Sequence, residues 1–393
     1  MSRPLITHRR VRALAAAAAL ATLVGACGAG EKGATDNRSV TPAGATAAEG
    51  VAKAKAEMAA LDGAPTWPDF QKLSKDVDVK GKKFTYVAFG DQVPVIHGVG
   101  VGVQQAFQAA GASVNICDGK FNPTAVASCL KTAGDEKVDG VITSFVDYQM
   151  AGPAFEALTG KGVKVIVGGV APSGGRVADK NLAFYDNTPR VIKLHEALST
   201  SAVAQGGEQT NVIWARLMDS TTTQNASKKG IEKFKELCPT CGIATTEFTT
   251  VNVDKLGSAV SAALVANPKT NAVIVPVDSF VPPALQGIQS AGFAGKVKVI
   301  SSSSDFAGLQ RVKAGQQASD LGTPVLYEGW RFAHAMMQLL AGDQVTKGDE
   351  FISRDFTSTN VGSLDLSAPK YLSDDWFGGS GYRDNFLTAW GLK

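Results

Sequence analysis

Nine short apolar runs interleaved with helix-like segments between Phe84 and Ala314 leave few folds open to this chain. The β-like runs are 84–89 FTYVAF, 112–116 ASVNI, 139–144 DGVITS, 163–168 VKVIVG and 181–185 NLAFY. They continue as 210–215 TNVIWA, 243–249 IATTEFT, 271–277 NAVIVPV and 296–302 KVKVISS. Helical patterns fall near 99–110, 123–134, 149–160, 188–204, 224–237, 254–266, 282–291 and 305–314. Short apolar strands between amphipathic helices imply parallel sheets covered on both faces. Nine strands are too many for one small sheet, and the pattern restarts near residue 187. The expected fold class is therefore α/β, two doubly wound parallel-sheet lobes. A length of 393 residues, 44% hydrophobic and 19% charged, supports that reading.

The formal net charge of +3 gives no case for nucleic acid, because the basic residues are scattered. The N-terminus is more specific. Arg3, Arg9, Arg10 and Arg12 precede ALAAAAALATLV, an apolar run too short to span a bilayer. It ends in LVGAC, and Gly25 and Ala26 before Cys27 resemble the lipobox of bacterial lipoproteins. An ordinary cleaved secretory signal with an incidental cysteine is the alternative. The expectation is a signal peptide over 1–26, lipidation at Cys27, and an exported chain held to the membrane by acyl groups. Residues 27–80 then form a tether and lead-in, in which EGVAKAKAEMAALDG has a helical pattern broken by the prolines of APTWPDF.

Export leaves Cys117, Cys129, Cys238 and Cys241 in an oxidising compartment, where an even number suggests disulfides. Cys117 ends a strand pattern and Cys129 lies in the next helix pattern, so a strand-to-helix bridge fits. CPTC at 238–241 resembles a redox motif or half a zinc ribbon, but no second CxxC or His pair completes a metal site. It follows a helix pattern rather than starting one, which favours a structural loop staple.

In doubly wound sheets, ligands bind beyond the carboxyl ends of the strands. Those ends read GDQVPVIH, FVDYQ, YDN, RLMDSTTTQN, VDSF and SSSD, nearly all with Asp, Asn or Ser, several beside an aromatic residue. Carboxylates accept hydrogen bonds from ligand hydroxyls, and aromatic faces cover ring surfaces. Each of these residues could equally be a helix N-cap.

Gly98, Gly100 and Gly102 do not make a dinucleotide fingerprint. The spacing is G-x-G-x-G with Val103 where a third fingerprint glycine belongs, and seven residues separate Gly90 from Gly98. The glycines are expected instead to let the helix start approach a closed cleft, with Asp91 to His97 as a binding loop. No nucleophile elbow or metal-ligand spacing is present, so neither catalysis nor a cofactor is expected.

The run VQQAFQAAGASVNICDGKFNPTAVASCLKTAGDEKVDGVITSFVDYQMAGPAFEALTGKGVKVIV resembles the type I periplasmic binding proteins of the ribose-binding kind. TTTQNASKKGIEKFKEL and NAVIVPVDSFVPPALQGIQSAGFAGKVKVI are similar to their second lobe, so the resemblance covers roughly residues 80–345. It implies a monomeric two-lobe clamp with a three-crossing hinge that closes on a small solute and delivers it to the permease of an ABC transporter. A receptor of the same fold reporting to a membrane sensor kinase is the alternative. The implied division is 81–185 plus 322–350 and 186–321 plus 351–366, with 367–393 as an extension. The end of that extension, LSDDWFGGSGYRDNFLTAWGLK at 372–393, either packs back across a lobe or contacts the permease, and its aromatic residues favour packing.

By resemblance, Asp147 and Asp186 match sugar-binding and hinge aspartates, and Asn225 stands where an Arg clamp is usual. Val277, Ser303 and Gly322 replace polar groups, and Gly168–Gly169 replaces a charged pair. A ligand less hydroxylated than a pentose or hexose, or contacts from Gln92, Thr222 and Asp305, would account for these changes. The expected ligand residues are Asp91, Gln92, Phe145, Asp147, Tyr148, Asp186, Thr222, Asn225, Asp278, Phe280, Ser303 and Asp305.

Overall fold

The computed structural model describes residues 46–393. The signal region and Cys27 lie outside the described residues. Helix α1 (Ala47–Ala59) opens with a capping box between Thr46 and Glu49. It is followed by β1 (Lys83–Ala88), α2 (Pro94–Ala109), β2 (Ser113–Asp118), α3 (Pro123–Asp135) and β3 (Gly140–Ser144). Next come α4 (Gly152–Gly160), β4 (Lys164–Gly168) and β5 (Leu182–Tyr185). These five strands form one parallel sheet in the order β2-β1-β3-β4-β5.

The chain then leaves that sheet through α5 (Thr188–Gly206), β6 (Asn211–Leu217), α6 (Thr221–Leu237), β7 (Gly242–Phe248) and α7 (Leu256–Ala266). It continues with β8 (Ala272–Ile274), α8 (Val281–Ser290), β9 (Lys298–Ser303), α9 (Phe306–Lys313) and β10 (Ser319–Gly322). Helix α10 (Val325–Ala341) returns to the first sheet, β11 (Asp355–Thr357) rejoins the second, and α11 (Tyr382–Ala389) ends the chain. The second sheet has the order β11-β10-β9-β8-β6-β7, with only β11 antiparallel.

Alternation along the central strands explains why both faces are covered. In β1, Phe84, Tyr86 and Ala88 join α2 and α10 in one cluster, while Val87 joins the α3 and α4 side. In β6, Val212 and Trp214 face α5, and Ile213 and Ala215 face α7 and α8. Two sheets, each buried on both sides, make the two lobes.

The glycine expectation is corrected here. Pro94 occupies the first turn of α2, so Gly98, Gly100 and Gly102 are inside the helix, not at its mouth. A Cβ on Gly102 would overlap the Leu326 carbonyl and come within 3.0 Å of Gly329 Cα; one on Gly98 would meet Val325. Gly102 lets α2 and α10 approach backbone to backbone, Gly98 makes room for the Val325 side chain, and Gly100 makes room for Tyr86 of β1.

Cys117 is bonded to Cys129, tying β2 to α3, and Cys238 is bonded to Cys241 between α6 and β7. The C-terminal residues pack inward. Trp376, Tyr382, Phe386 and Trp390 are all buried, each worth about 1.5–3 kcal/mol of apolar burial.

Candidate functional site

The first sheet presents its strand ends through four loops. After β1, the Asp91 amide donates to Asp118 Oδ1 at 2.9 Å. The Asp91 carboxylate lies 3.1 Å from His97 Nδ1 through both oxygens. Gln92 is exposed and makes no hydrogen bond among the described residues. After β2, Phe121 sets its ring edge-on to Phe89 at 5.2 Å. After β3, Phe145 is half-buried and its amide donates to the Gly168 carbonyl at 2.9 Å. Asp147 accepts from the Gln149 amide at 2.9 Å and from the Ser173 hydroxyl. Asp186, at the end of β5, accepts from the Thr188 amide at 2.9 Å.

The Gly168–Gly169 pair now has a physical reason. A Cβ on Gly168 would strike the Phe332 ring, and one on Gly169, whose φ is +83°, would lie 3.0 Å from the Phe145 ring. Two aromatic rings occupy the space that side chains there would need.

On the second sheet, Thr222 is buried in the first turn of α6, 2.9 Å from Thr188 Oγ1 and accepting from the Ala171 amide at 3.3 Å. That last bond joins the β4 end of one lobe to the α6 start of the other. Asn225 is exposed with no hydrogen bond among the described residues. Ser303 is buried, with φ at 104°. Asp305 caps α9, accepting from the Gly308 amide at 2.6 Å. Burial, reinforced by the neighbouring Asp278 charge, pushes the Asp305 carboxyl up to about 6.

Three expected contact residues have buried side chains engaged within their own lobes. Asp278 is fully buried, bonded to the Ser301 hydroxyl, to Gln317 Nε2 at 3.2 Å and to the Asp305 amide at 3.0 Å. Phe280 packs edge-on against Phe248 at 5.2 Å inside the second lobe. Tyr148 stacks on Phe155 at 5.2 Å and donates to Glu156. Their local sequences look like ligand loops, but their side chains are spent on lobe packing.

Backbone strain marks residues that sequence reading missed. Among the described residues, six non-glycine positions have positive φ. Lys137 follows a helix; the other five lie at strand ends, Lys120 and Phe121 after β2, Phe145 after β3, Ser303 as the last residue of β9 and Ser304 just beyond it. Bulky residues in the left-handed region cost energy and cluster at functional sites. Lys120 and Phe121 therefore join the candidate set, and nothing in the sequence around them announces a positive φ.

The passages between lobes are held by a buried ion pair. Arg190 Nε of α5 lies 3.1 Å from Glu328 Oε1 of α10, and Asn187 Nδ2 donates to Glu328 Oε2 at 3.3 Å. A roomy cavity of about 1220 Å³ lies elsewhere, on the hinge flank between Phe70, the 172–179 loop, one face of α10 and residues 343–350. Asp186 borders that cavity.

Residues 85–344 match the periplasmic binding protein domain. The chain belongs to the periplasmic binding protein family. No curated protein sequence matches it. Solved structures share the family fold. One is an ABC transporter solute-binding protein from Agrobacterium vitis with bound allitol, at 17% identity and TM-score 0.60, covering 72% of this chain and 98% of that one. A second is the 5-methylthioribose transporter solute-binding protein from Thermotoga lettingae in complex with 5-methylthioribose, at 14% identity, TM-score 0.64 and coverage of 82% and 100%. A third is a periplasmic ribose ABC transporter from Conexibacter woesei, at 18% identity, TM-score 0.61 and coverage of 75% and 98%.

Proposed function

We propose that this periplasmic binding protein works outside the cytoplasm, anchored by lipid on Cys27. It captures a sugar or sugar-like small polar solute between its lobes and delivers it to an ABC importer. The lobes divide as 81–185 plus 322–350 and 186–321 plus 351–366. The observation that carries the reading is the pair of mainly parallel sheets, linked through α5, α10 and β11, whose strand-end loops collect the strained and polar residues. Ligand-bound relatives of the same fold support the solute class. A ligand closes such a clamp only through a higher affinity for the closed state. Tethering beside the permease raises the local concentration of the loaded form.

In this reading Asp91, Gln92 and Asp147 accept or donate hydrogen bonds from the first lobe, Phe145 and Phe121 cover an apolar face, and Asn225 closes from the second. Asp147 is tested directly. A thermal-shift screen over sugars, polyols, cyclitols and nucleosides is expected to return one class that raises Tm. A ligand at a hundredfold its Kd stabilises by about 2.7 kcal/mol. Asp147→Ala is expected to remove most of that shift while leaving the ligand-free Tm nearly unchanged. An unchanged shift in the variant would exclude Asp147 from the site.

A further inference from the structure

The solved relatives are covered at 98–100% of their length by only 72–82% of this chain, so it carries segments beyond the shared fold. The domain match ends at residue 344 and begins at 85, leaving the lead-in and the C-terminal residues outside it. These two segments meet each other, and each is fastened to both lobes.

The lead-in begins on the second lobe. Helix α1 places Ala54 and Met58 in the cluster formed by α5 and the second sheet. The Leu61 carbonyl accepts from the Asp355 amide of β11 at 2.7 Å, and the Asp62 carbonyl accepts from Arg354 Nε at 3.1 Å. It then crosses to the first lobe, where Trp67 lies 5.1 Å from Tyr327 and Phe70 lies 6.4 Å from the same ring of α10. The Ser74 amide donates to Asp343.

The C-terminal segment makes the same crossing. Trp376 and Phe377 belong to a second-lobe cluster with Phe356, Leu309 and Val312. Tyr382, Phe386 and Trp390 belong to the first-lobe core, with Trp390 stacked on Trp330 at 5.6 Å and donating to His334 Nδ1 at 2.9 Å.

Where they enter the first lobe the two segments are seamed together. Phe70 stacks on Phe386 at 3.9 Å, and Trp67 meets Tyr382 at 4.8 Å. Trp67 Nε1 donates to the Gly379 carbonyl at 3.1 Å, Asn385 Nδ2 to the Pro68 carbonyl at 2.9 Å, and the Leu73 amide to the Ala389 carbonyl at 3.0 Å. The seam also presses on a hinge passage: a Cβ on Gly322, where β10 leads toward α10, would lie 2.9 Å from the Phe377 ring.

We infer that the lead-in and C-terminal segments form a strap across the hinge that restricts how far the lobes separate. A rigid-body rotation of one lobe must slide packed aromatic rings or break hydrogen bonds on both anchors, and packed interfaces respond in steps rather than by smooth deformation. The strap does not depend on which ligand the cleft takes.

The test is an interlobe distance distribution in the ligand-free full chain. Spin labels go on Thr124→Cys and Val251→Cys, exposed positions beyond β2 and β7 on opposite lobes, with Cys27→Ser removing the remaining thiol. The intact strap is expected to give one narrow distribution. A Phe70→Ala/Phe386→Ala variant is expected to broaden it and shift it to longer distance. Trp67→Phe/Asn385→Ala, which removes two seam hydrogen bonds but keeps the apolar packing, is expected to do the same to a smaller extent, and decides the question if the first variant fails to fold. Distributions matching the parent in the folded variants would overturn the strap.

Discussion

Arg190→Met is expected to cost about 3–5 kcal/mol of folding stability, a large fraction of what a domain has to lose. Arg190 and Glu328 face each other at 3.1 Å, with side chains only 7% and 3% exposed. Removing the guanidinium leaves the Glu328 carboxylate buried with a single amide donor, Asn187. The penalty is the isolated charge rather than the lost attraction, so Arg190→Met/Glu328→Gln should recover most of it. Glutamine keeps an oxygen for the Asn187 amide and carries no charge. Urea unfolding of the three proteins checks this. A single variant costing under about 1 kcal/mol, or a double variant no better than the single, would show that the pair is solvated. Because α5 packs on the second sheet and α10 on the first, the ion pair holds together two of the passages between lobes.

The second large effect is a pH-dependent difference at Asp355. Burial raises its carboxyl from the usual range up to about 7, against the Ser319 hydroxyl that donates to it. A carboxyl whose folded value is raised binds protons more readily in the folded state. Its contribution is therefore fully present below the unfolded value near 3.8 and is lost as pH rises through about 7. Asp355→Asn removes that titration. Between pH 4.5 and 8 the gap between the two proteins should move by about 3 kcal/mol in favour of the variant, from about 1.4 kcal/mol per pH unit.

The difference between proteins is the readout because other groups oppose it in the parent. Asp305, raised to about 6, and Asp320, raised by burial beside Asp278, act in the same direction as Asp355. His195, lowered to about 4 by burial, and His334, lowered to about 3, act in the other, losing stability as pH falls below 6.5. A gap that stays constant across the range would mean that Asp355 titrates alike in both states.

The central strands were legible because each is a short apolar run bounded by polar turns, with burial on both faces leaving no polar face to obscure the pattern. The edge strands β2 and β7 are partly exposed and stood out by their place in the alternation. Around α10 only a helical pattern at His334 was legible, and its bounds were not. Sixteen of its residues are buried, including the polar stripe of Glu328, Arg331, His334 and Gln338, so its polar face does not mark a surface. Strands β10, SDLG, and β11, DFT, are too short and too polar to stand out. β10 exists because β9 supplies a partner edge, and β11 because β10 then supplies the next.

The site was legible as loops and much less so as side chains. Strand ends can be placed from the pattern alone, which put Asp91 and Asp147 in strand-end loops and Asn225 in the segment that follows β6. Whether a strand-end aromatic looks into a cleft or back into its lobe depends on partners far along the chain. Phe280 turns toward Phe248, and Tyr148 toward Phe155 seven residues on. The C-terminal extension was expected to pack, and it does, but the strap it forms with Trp67 and Phe70 joins residues more than three hundred positions apart. No local pattern encodes such a pairing.

A crystal structure with the strongest thermal-shift ligand bears most directly on the proposed clamp. The solute is expected between the lobes, within hydrogen-bond reach of Asp147 and of the loop that begins α6, with the Ala171 to Thr222 bond retained. A solute seated instead in the 1220 Å³ hinge-flank cavity beside Arg331, His334 and Gln338, with the strand-end loops empty, would contradict the account.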